Sequence, residues 1–131
     1  MLSEVLIIDD NKLTRWAFAR VLARAGYRVQ EVDTAHEGLA RVKEAPPDLV
    51  FLDCHLPDGD GAAVLQALQD LRPMLPVVMT SAEMPQEAAG CLCRLGARGF
   101  LAKPCTPALV VALADALLSR EVRPDDVATP A

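Results

Sequence analysis

No basic run occurs anywhere in this sequence. Its 13 Lys and Arg residues are scattered among alanines and leucines and face 18 Asp and Glu, a formal net charge of -5. Phosphate contacts need clustered cations, so direct nucleic-acid binding is disfavoured. A long uncharged apolar stretch is missing too. The richest segment, Ala108 to Leu118, falls well short of a membrane span of about 20 residues and contains Asp115. Met1 to Asp10 is apolar for only four residues before two aspartates, without the basic and long apolar regions of a secretory signal. A cytoplasmic protein that does not enter the membrane is therefore expected. The four cysteines also lack metal-knuckle spacing. Cys91-x-Cys93 is too tight for C-x₂₋₄-C, and no His pair accompanies Cys54 or Cys105, so small buried thiols are expected.

What is present is enough for one globular domain. The chain has 131 residues, 52% of them hydrophobic and only 24% charged, which permits a proper core and argues against disorder. Val5–Ile8 is a short continuous apolar run, the pattern of a strand covered on both faces of a parallel sheet. Similar runs recur at Val29–Val32, Leu49–Leu52, Val77–Met79 and Gly99–Ala102. Between them lie segments of helical length: Lys12–Ala25, Ala35–Glu44, Gly61–Leu71, Pro85–Leu95 and Pro107–Ser119. Gly26 suits a helix stop, Thr34 to Glu37 reads as a capping box, and Thr106-Pro107 supplies an N-cap and a first-turn proline. Five strands alternating with five helices predict an α/β fold, a doubly wound (βα)5 sandwich on a five-stranded parallel sheet.

In such folds a ligand site lies beyond the carboxyl ends of the strands. Those ends carry Asp9-Asp10, Asp53, Thr80-Ser81 and Lys103. Grouped carboxylates repel one another and are stable together only with a cation. A site of oxygens alone, with room for water and phosphate, suits Mg²⁺. An ammonium can neutralise an added phosphoryl oxygen while a hydroxyl donates to another. Any one of these aspartates read singly is an ordinary solvated loop residue. Five such positions at successive strand ends are not.

The motifs that carry these residues are Val5-Leu6-Ile7-Ile8-Asp9-Asp10-Asn11, Pro47-Asp48-Leu49-Val50-Phe51-Leu52-Asp53 and Leu56-Pro57-Asp58-Gly59-Asp60-Gly61. They continue with Pro76-Val77-Val78-Met79-Thr80-Ser81-Ala82 and Gly96-Ala97-Arg98-Gly99-Phe100-Leu101-Ala102-Lys103-Pro104. In this order and spacing, over about residues 3 to 120, the chain resembles a response-regulator receiver domain of two-component signalling. The resemblance implies a flavodoxin-like sheet of order 2-1-3-4-5, with residues 1–120 as receiver and 121–131 as tail or start of a linker. It implies that Asp53 takes a phosphoryl group from a sensor histidine kinase or a histidine phosphotransfer protein. Asp10, Asp53 and the backbone carbonyl of His55 would ligate Mg²⁺, and Asp9 would act through water. Lys103 would pair with the Asp53 carboxylate and then with the phosphoryl group, and the Lys103–Pro104 bond would be cis. Counting from Pro76 and Lys103 favours Ser81 over Thr80 as the switch hydroxyl, with Phe100 as the switch aromatic. His55 and Glu83 stand where the family tunes phosphoryl lifetime. No turnover of an external substrate is implied.

Three other readings meet parts of this pattern. A haloacid-dehalogenase-type phosphatase needs D-x-D after its first strand, whereas this strand ends Asp9-Asp10-Asn11. An unphosphorylated pseudo-receiver sits poorly with a complete acidic, hydroxyl and lysine set. A fragment of a larger regulator, with an effector domain after Pro124, stays open because Arg120 to Ala131 reads as linker. Helical spacing assigns Leu109, Val110, Leu113 and Leu117 to the sheet and points Val111 and Leu118 away from it. Trp16 falls opposite the inward stripe of Phe18, Val21 and Leu22. Trp16, Val111 and Leu118 are thus the expected interface for a partner or a homodimer.

Overall fold

A computed structural model of the chain describes residues 2–82, 90 and 92–118. The principal strands are β1 (Glu4–Ile8), β2 (Arg28–Val32), β3 (Leu49–Asp53), β6 (Val77–Ser81) and β7 (Gly99–Ala102). They form one parallel sheet of order β2-β1-β3-β6-β7, which is 2-1-3-4-5 when these five are counted alone. Two short strands, β4 (His55–Leu56) and β5 (Gly59–Asp60), make a separate antiparallel pair that no sequence pattern announced. The helices are α1 (Lys12–Arg24), α2 (Ala35–Glu44), α3 (Gly61–Leu71) and α4 (Pro107–Leu118). The helix expected over 85–95 falls mostly outside the described residues, as do Glu83, Cys91 and the tail 121–131; residues 92–94 are helical.

Local chemistry sets the helix ends. The Asn11 side chain accepts from the N–H of Thr14 and opens α1. Gly26, at φ 99°, takes the left-handed position that ends it. The Thr34 hydroxyl accepts from the N–H of Glu37 at 3.1 Å, and that of Thr106 from Leu109 at 3.3 Å. β3 and β6 run further than their apolar patterns suggested. The ladder continues through the pair Asp53 and Thr80, so both residues belong to strands and not to the loops after them.

Because strand side chains alternate, the sheet has two cores. Leu6, Ile8, Val50, Leu52, Val77 and Met79 face α2 and α3. Val5, Ile7, Leu49, Phe51, Val78 and Leu101 face α1 and α4, where Phe18 meets Phe51 edge-to-face at 5.6 Å. Gly38 lets α2 close on β1, since a Cβ there would lie 2.5 Å from the Ile8 side chain.

The last helix corrects the expected stripe. Its buried centre is Val110 and Ala114, and Leu109 is 49% exposed. Val111 and Leu118 are half-buried against the α1-side core, so they are not an outward patch. The physical reason is that α4 packs on α1 as well as on the sheet. Its covered arc is therefore rotated toward that neighbour, where the Tyr27 hydroxyl bonds the Asp115 carboxylate. Trp16 is outward as expected, 58% exposed with the Arg20 guanidinium over its ring at 5.2 Å. Its fluorescence should be red-shifted and fully accessible to acrylamide in the monomer; a blue emission resistant to quenching would show that the ring is covered. Among the described cysteines the expectation of buried thiols holds for Cys54, while Cys105 is half-exposed and Cys93 exposed.

Candidate functional site at the carboxyl edge of the sheet

The central strands β1 and β3 deliver their carboxylates to the same edge. Asp9 follows β1, and its N–H still donates to Val32 at 3.1 Å, which fixes the turn. One Asp9 oxygen accepts from the N–H of Asn11 at 2.8 Å, and the other accepts from Lys103 Nζ at 2.7 Å. The Asp9 carbonyl accepts from Arg15 Nη1 at 2.7 Å, and Arg15 also lies 3.6 Å from Glu31 on the edge strand. Asp53 closes β3, with one oxygen accepting from the N–H of His55 at 3.1 Å and the other 3.7 Å from Lys103 Nζ. Asp9 and Asp53 are buried and Asp10 is exposed; oxygens of all three lie within 4.8 Å of one another.

Electrostatics follow from this packing. Burial, then the neighbouring Asp9 and Asp10 charges, push the Asp53 carboxyl up to about 6, against the lowering effects of the His55 N–H and the Lys103 ammonium. The Cys54 thiol beside it is pushed up to about 12 by burial and by the Asp53 charge, and is inert at neutral pH. One ammonium does not balance three carboxylates. The donor set is made of hard oxygens, Asp10 is open to water, and such a cluster can hold a metal ion.

Lys103 Nζ pairs with both buried carboxylates: the ion pair with Asp53 is present at 3.7 Å, and a closer one with Asp9 at 2.7 Å accompanies it. The Lys103–Pro104 bond is cis, and the N–H of Lys103 donates to the carbonyl of Ser81 at 2.8 Å. Thr80 and Ser81 are both buried; Thr80 stands level with Asp53, and Ser81 one residue nearer the edge, level with Ala102. Phe100 is level with Met79 and half-buried against the α2 and α3 core. A cleft of about 380 Å³ opens beside Lys103, lined among others by Asn11, Thr14, Ala82, Pro104 and Cys105. The edge therefore brings together Asp9, Asp10, Asp53, His55, Thr80, Ser81 and Lys103, while Trp16 lies outward on α1.

Two contributors had no sequence signal of their own. Arg15 looks like any helix arginine until its bond to the Asp9 carbonyl is seen. Asp58 sits in the Leu56–Gly61 motif, but its partners lie more than twenty residues away.

This architecture is that of the flavodoxin-like, doubly wound α/β domains with an acidic site at the carboxyl edge of the sheet. Residues 5–115 match the response regulator receiver domain family, and the chain belongs to that family. It is 33% identical over 115 residues to the DNA-binding transcriptional regulator NtrC of Salmonella typhimurium, covering 88% of this chain and 24% of that protein. It is 34% identical over 131 residues to the sensory/regulatory protein RpfC of Xanthomonas campestris pv. campestris, covering 97% of this chain and 18% of RpfC. The chain thus spans a quarter or less of the length of these curated relatives. Among solved structures, NtrX from Brucella abortus superposes with a TM-score of 0.86 at 31% identity over 98% of this chain and 30% of its own. The CheY-like receiver domain protein from Methanospirillum hungatei gives 0.84 at 28% identity, covering 93% of this chain and 98% of its own. No helix among the described residues is long and apolar enough to cross a membrane.

Proposed function

We propose that this receiver domain accepts a phosphoryl group on Asp53 from a sensor histidine kinase or a histidine phosphotransfer protein, in the cytoplasm, with Mg²⁺ as cofactor. The observation that carries the reading is the placement of Asp53. It is a buried carboxylate in an acidic cluster, with one oxygen facing the only nearby ammonium among the described residues. An Asp53 oxygen attacks phosphorus in line, the phosphorus–nitrogen bond of the phosphohistidine breaks, and its electron pair leaves with the imidazole. Asp10, Asp53 and the His55 carbonyl would hold the metal, and Asp9 would reach it through water. When bound there, Mg²⁺ supplies charge neutralisation at the phosphoryl oxygens. Lys103 moves from its resting bond with Asp9 toward the phosphoryl group. Intact-mass spectra of wild type and Asp53→Asn after acetyl phosphate, with and without Mg²⁺, test the assignment.

Ser81, in preference to its neighbour Thr80, supplies the hydroxyl that bonds the phosphoryl group and couples it to Phe100. That bond exists only in the phosphorylated state, so it biases the switch by about 1–3 kcal/mol. Ser81→Ala should leave phosphorylation nearly intact while shrinking the amide shifts that beryllofluoride induces around Phe100. Equal shifts in both proteins would remove Ser81 from this role. The outward face of α1, with Leu13 76% exposed beside Trp16, is the surface offered to the phosphodonor or to a second copy. Residues 1–120 form the receiver and 121–131 a tail or linker. The domain promotes only its own phosphorylation and dephosphorylation, and so is not an enzyme in the usual sense.

A further inference from the structure

The short hairpin formed by β4 and β5 begins two residues after Asp53, and its Leu56 is buried in the core on the α2 and α3 side. Its base is held by the bond from the N–H of Gly61 to the Cys54 carbonyl at 3.0 Å. A Cβ at Gly61 would lie 2.8 Å from the Cys54 backbone, so only glycine allows that closure. The tip is held differently. The two Asp58 oxygens accept from successive N–H groups at the start of α2, Ala35 at 2.8 Å and His36 at 3.0 Å. These bonds, with the positive end of the helix behind them, hold the Asp58 carboxyl below the usual carboxylate range. The tip also presses on the same residue, since a Cβ at Gly59 would lie 3.1 Å from the Ala35 Cβ. Thr34 caps the next donor, Glu37, from within the helix. Two residues thus cap one helix start, but only Asp58 joins it to the acceptor loop.

We infer that Asp58 is a positioning residue for the metal centre: its carboxylate clamps the hairpin tip to α2 and so fixes the backbone of His55. This rests on the Mg²⁺ reading given above. A carbonyl on a loosely held two-residue strand coordinates poorly, because ordering it consumes part of the binding free energy. Outer partners that orient a metal ligand commonly change affinity by 10- to 100-fold. The bond from His36 is exposed and that from Ala35 only part-buried, which places the effect at the lower end, about tenfold.

Calorimetric titration of Mg²⁺ alone into wild type, Asp58→Ala, Asp58→Asn and Thr34→Ala tests the inference. Hydrogen exchange of the amides from His55 to Asp60 is measured on the same proteins without metal. The expected result is about tenfold weaker Mg²⁺ binding and faster hairpin exchange in Asp58→Ala, partly recovered in Asp58→Asn, which keeps one acceptor oxygen. Thr34→Ala loosens the same helix start without touching the hairpin and should bind Mg²⁺ like wild type. Equal weakening by Thr34→Ala, or wild-type affinity in Asp58→Ala, would overturn the clamp. If wild type itself bound no Mg²⁺, the metal reading would fall and the inference with it, whereas unchanged hairpin exchange would sink the clamp alone.

Discussion

Asp53→Asn is expected to lose all rapid phosphoryl uptake and yet be more stable than wild type in the absence of metal. The loss follows from removing the nucleophilic oxygen; the other buried carboxylate of the cluster, Asp9, already has one oxygen bonded to the Asn11 N–H and the other to Lys103. The gain follows from the raised carboxyl, about 6 in the folded chain against an ordinary value of 3.8. A carboxyl raised on folding favours the native state while protonated. That contribution is complete below about pH 3.8 and is lost as pH rises through about 6. Near pH 8 the ionised Asp53 therefore costs about 1–3 kcal/mol, which the neutral amide removes. Urea unfolding in EDTA from pH 3.5 to 8 should show the two proteins converging at the acid end and separating above pH 6. Mg²⁺ should then raise wild type far more than the variant, by selective binding to the native state. A Mg²⁺-dependent adduct on Asp53→Asn, or a wild type that is the more stable at pH 8 in EDTA, would contradict the assignment and the electrostatics respectively.

The second large effect is expected at Lys103. Its ammonium is 2.7 Å from Asp9, whose side chain is only 2% exposed, and 3.7 Å from Asp53. Breaking a buried pair by deleting one partner strands the other charge, at about 3–5 kcal/mol for a well-buried case. Lys103→Met keeps the aliphatic stem and should destabilise the metal-free protein at pH 7 by about 2–4 kcal/mol. The same change removes a positive charge from beside the acidic cluster. Mg²⁺ should then bind about tenfold more tightly, because like-charge repulsion within several ångströms of the cation is gone. Stability and metal affinity would therefore move in opposite directions, which a general unfolding of the site cannot produce. Weaker Mg²⁺ binding by Lys103→Met would mean that the lysine organises the carboxylates more than it opposes the cation.

Much of the fold was legible locally. Continuous apolar runs such as Val5–Ile8 identify strands covered on both faces, and α2 and α3 begin and end where the sequence placed them. Edges were less legible. β3 and β6 extend into Asp53 and Thr80-Ser81, since ladder bonds continue past the last apolar residue when a partner strand is present. The rotation of α4 misled for a related reason. Its nearly uniform apolar surface, Pro107 to Leu118, offers no polar face to define an orientation, so packing against α1 decides which side is covered.

The sequence alone pointed to residues at the carboxyl edge of the sheet, because each stands at or beside the end of a strand: Asp9, Asp10, Asp53, Thr80-Ser81 and Lys103. Their pairing came from the packing of distant segments. Lys103 meets Asp9 across 94 residues, and Asp58 meets α2 across 22 and 23, through strand order and crossover geometry that local periodicity does not contain. A period of two or of 3.6 residues says which side chains share a face. It carries no information about what another segment will bring against that face.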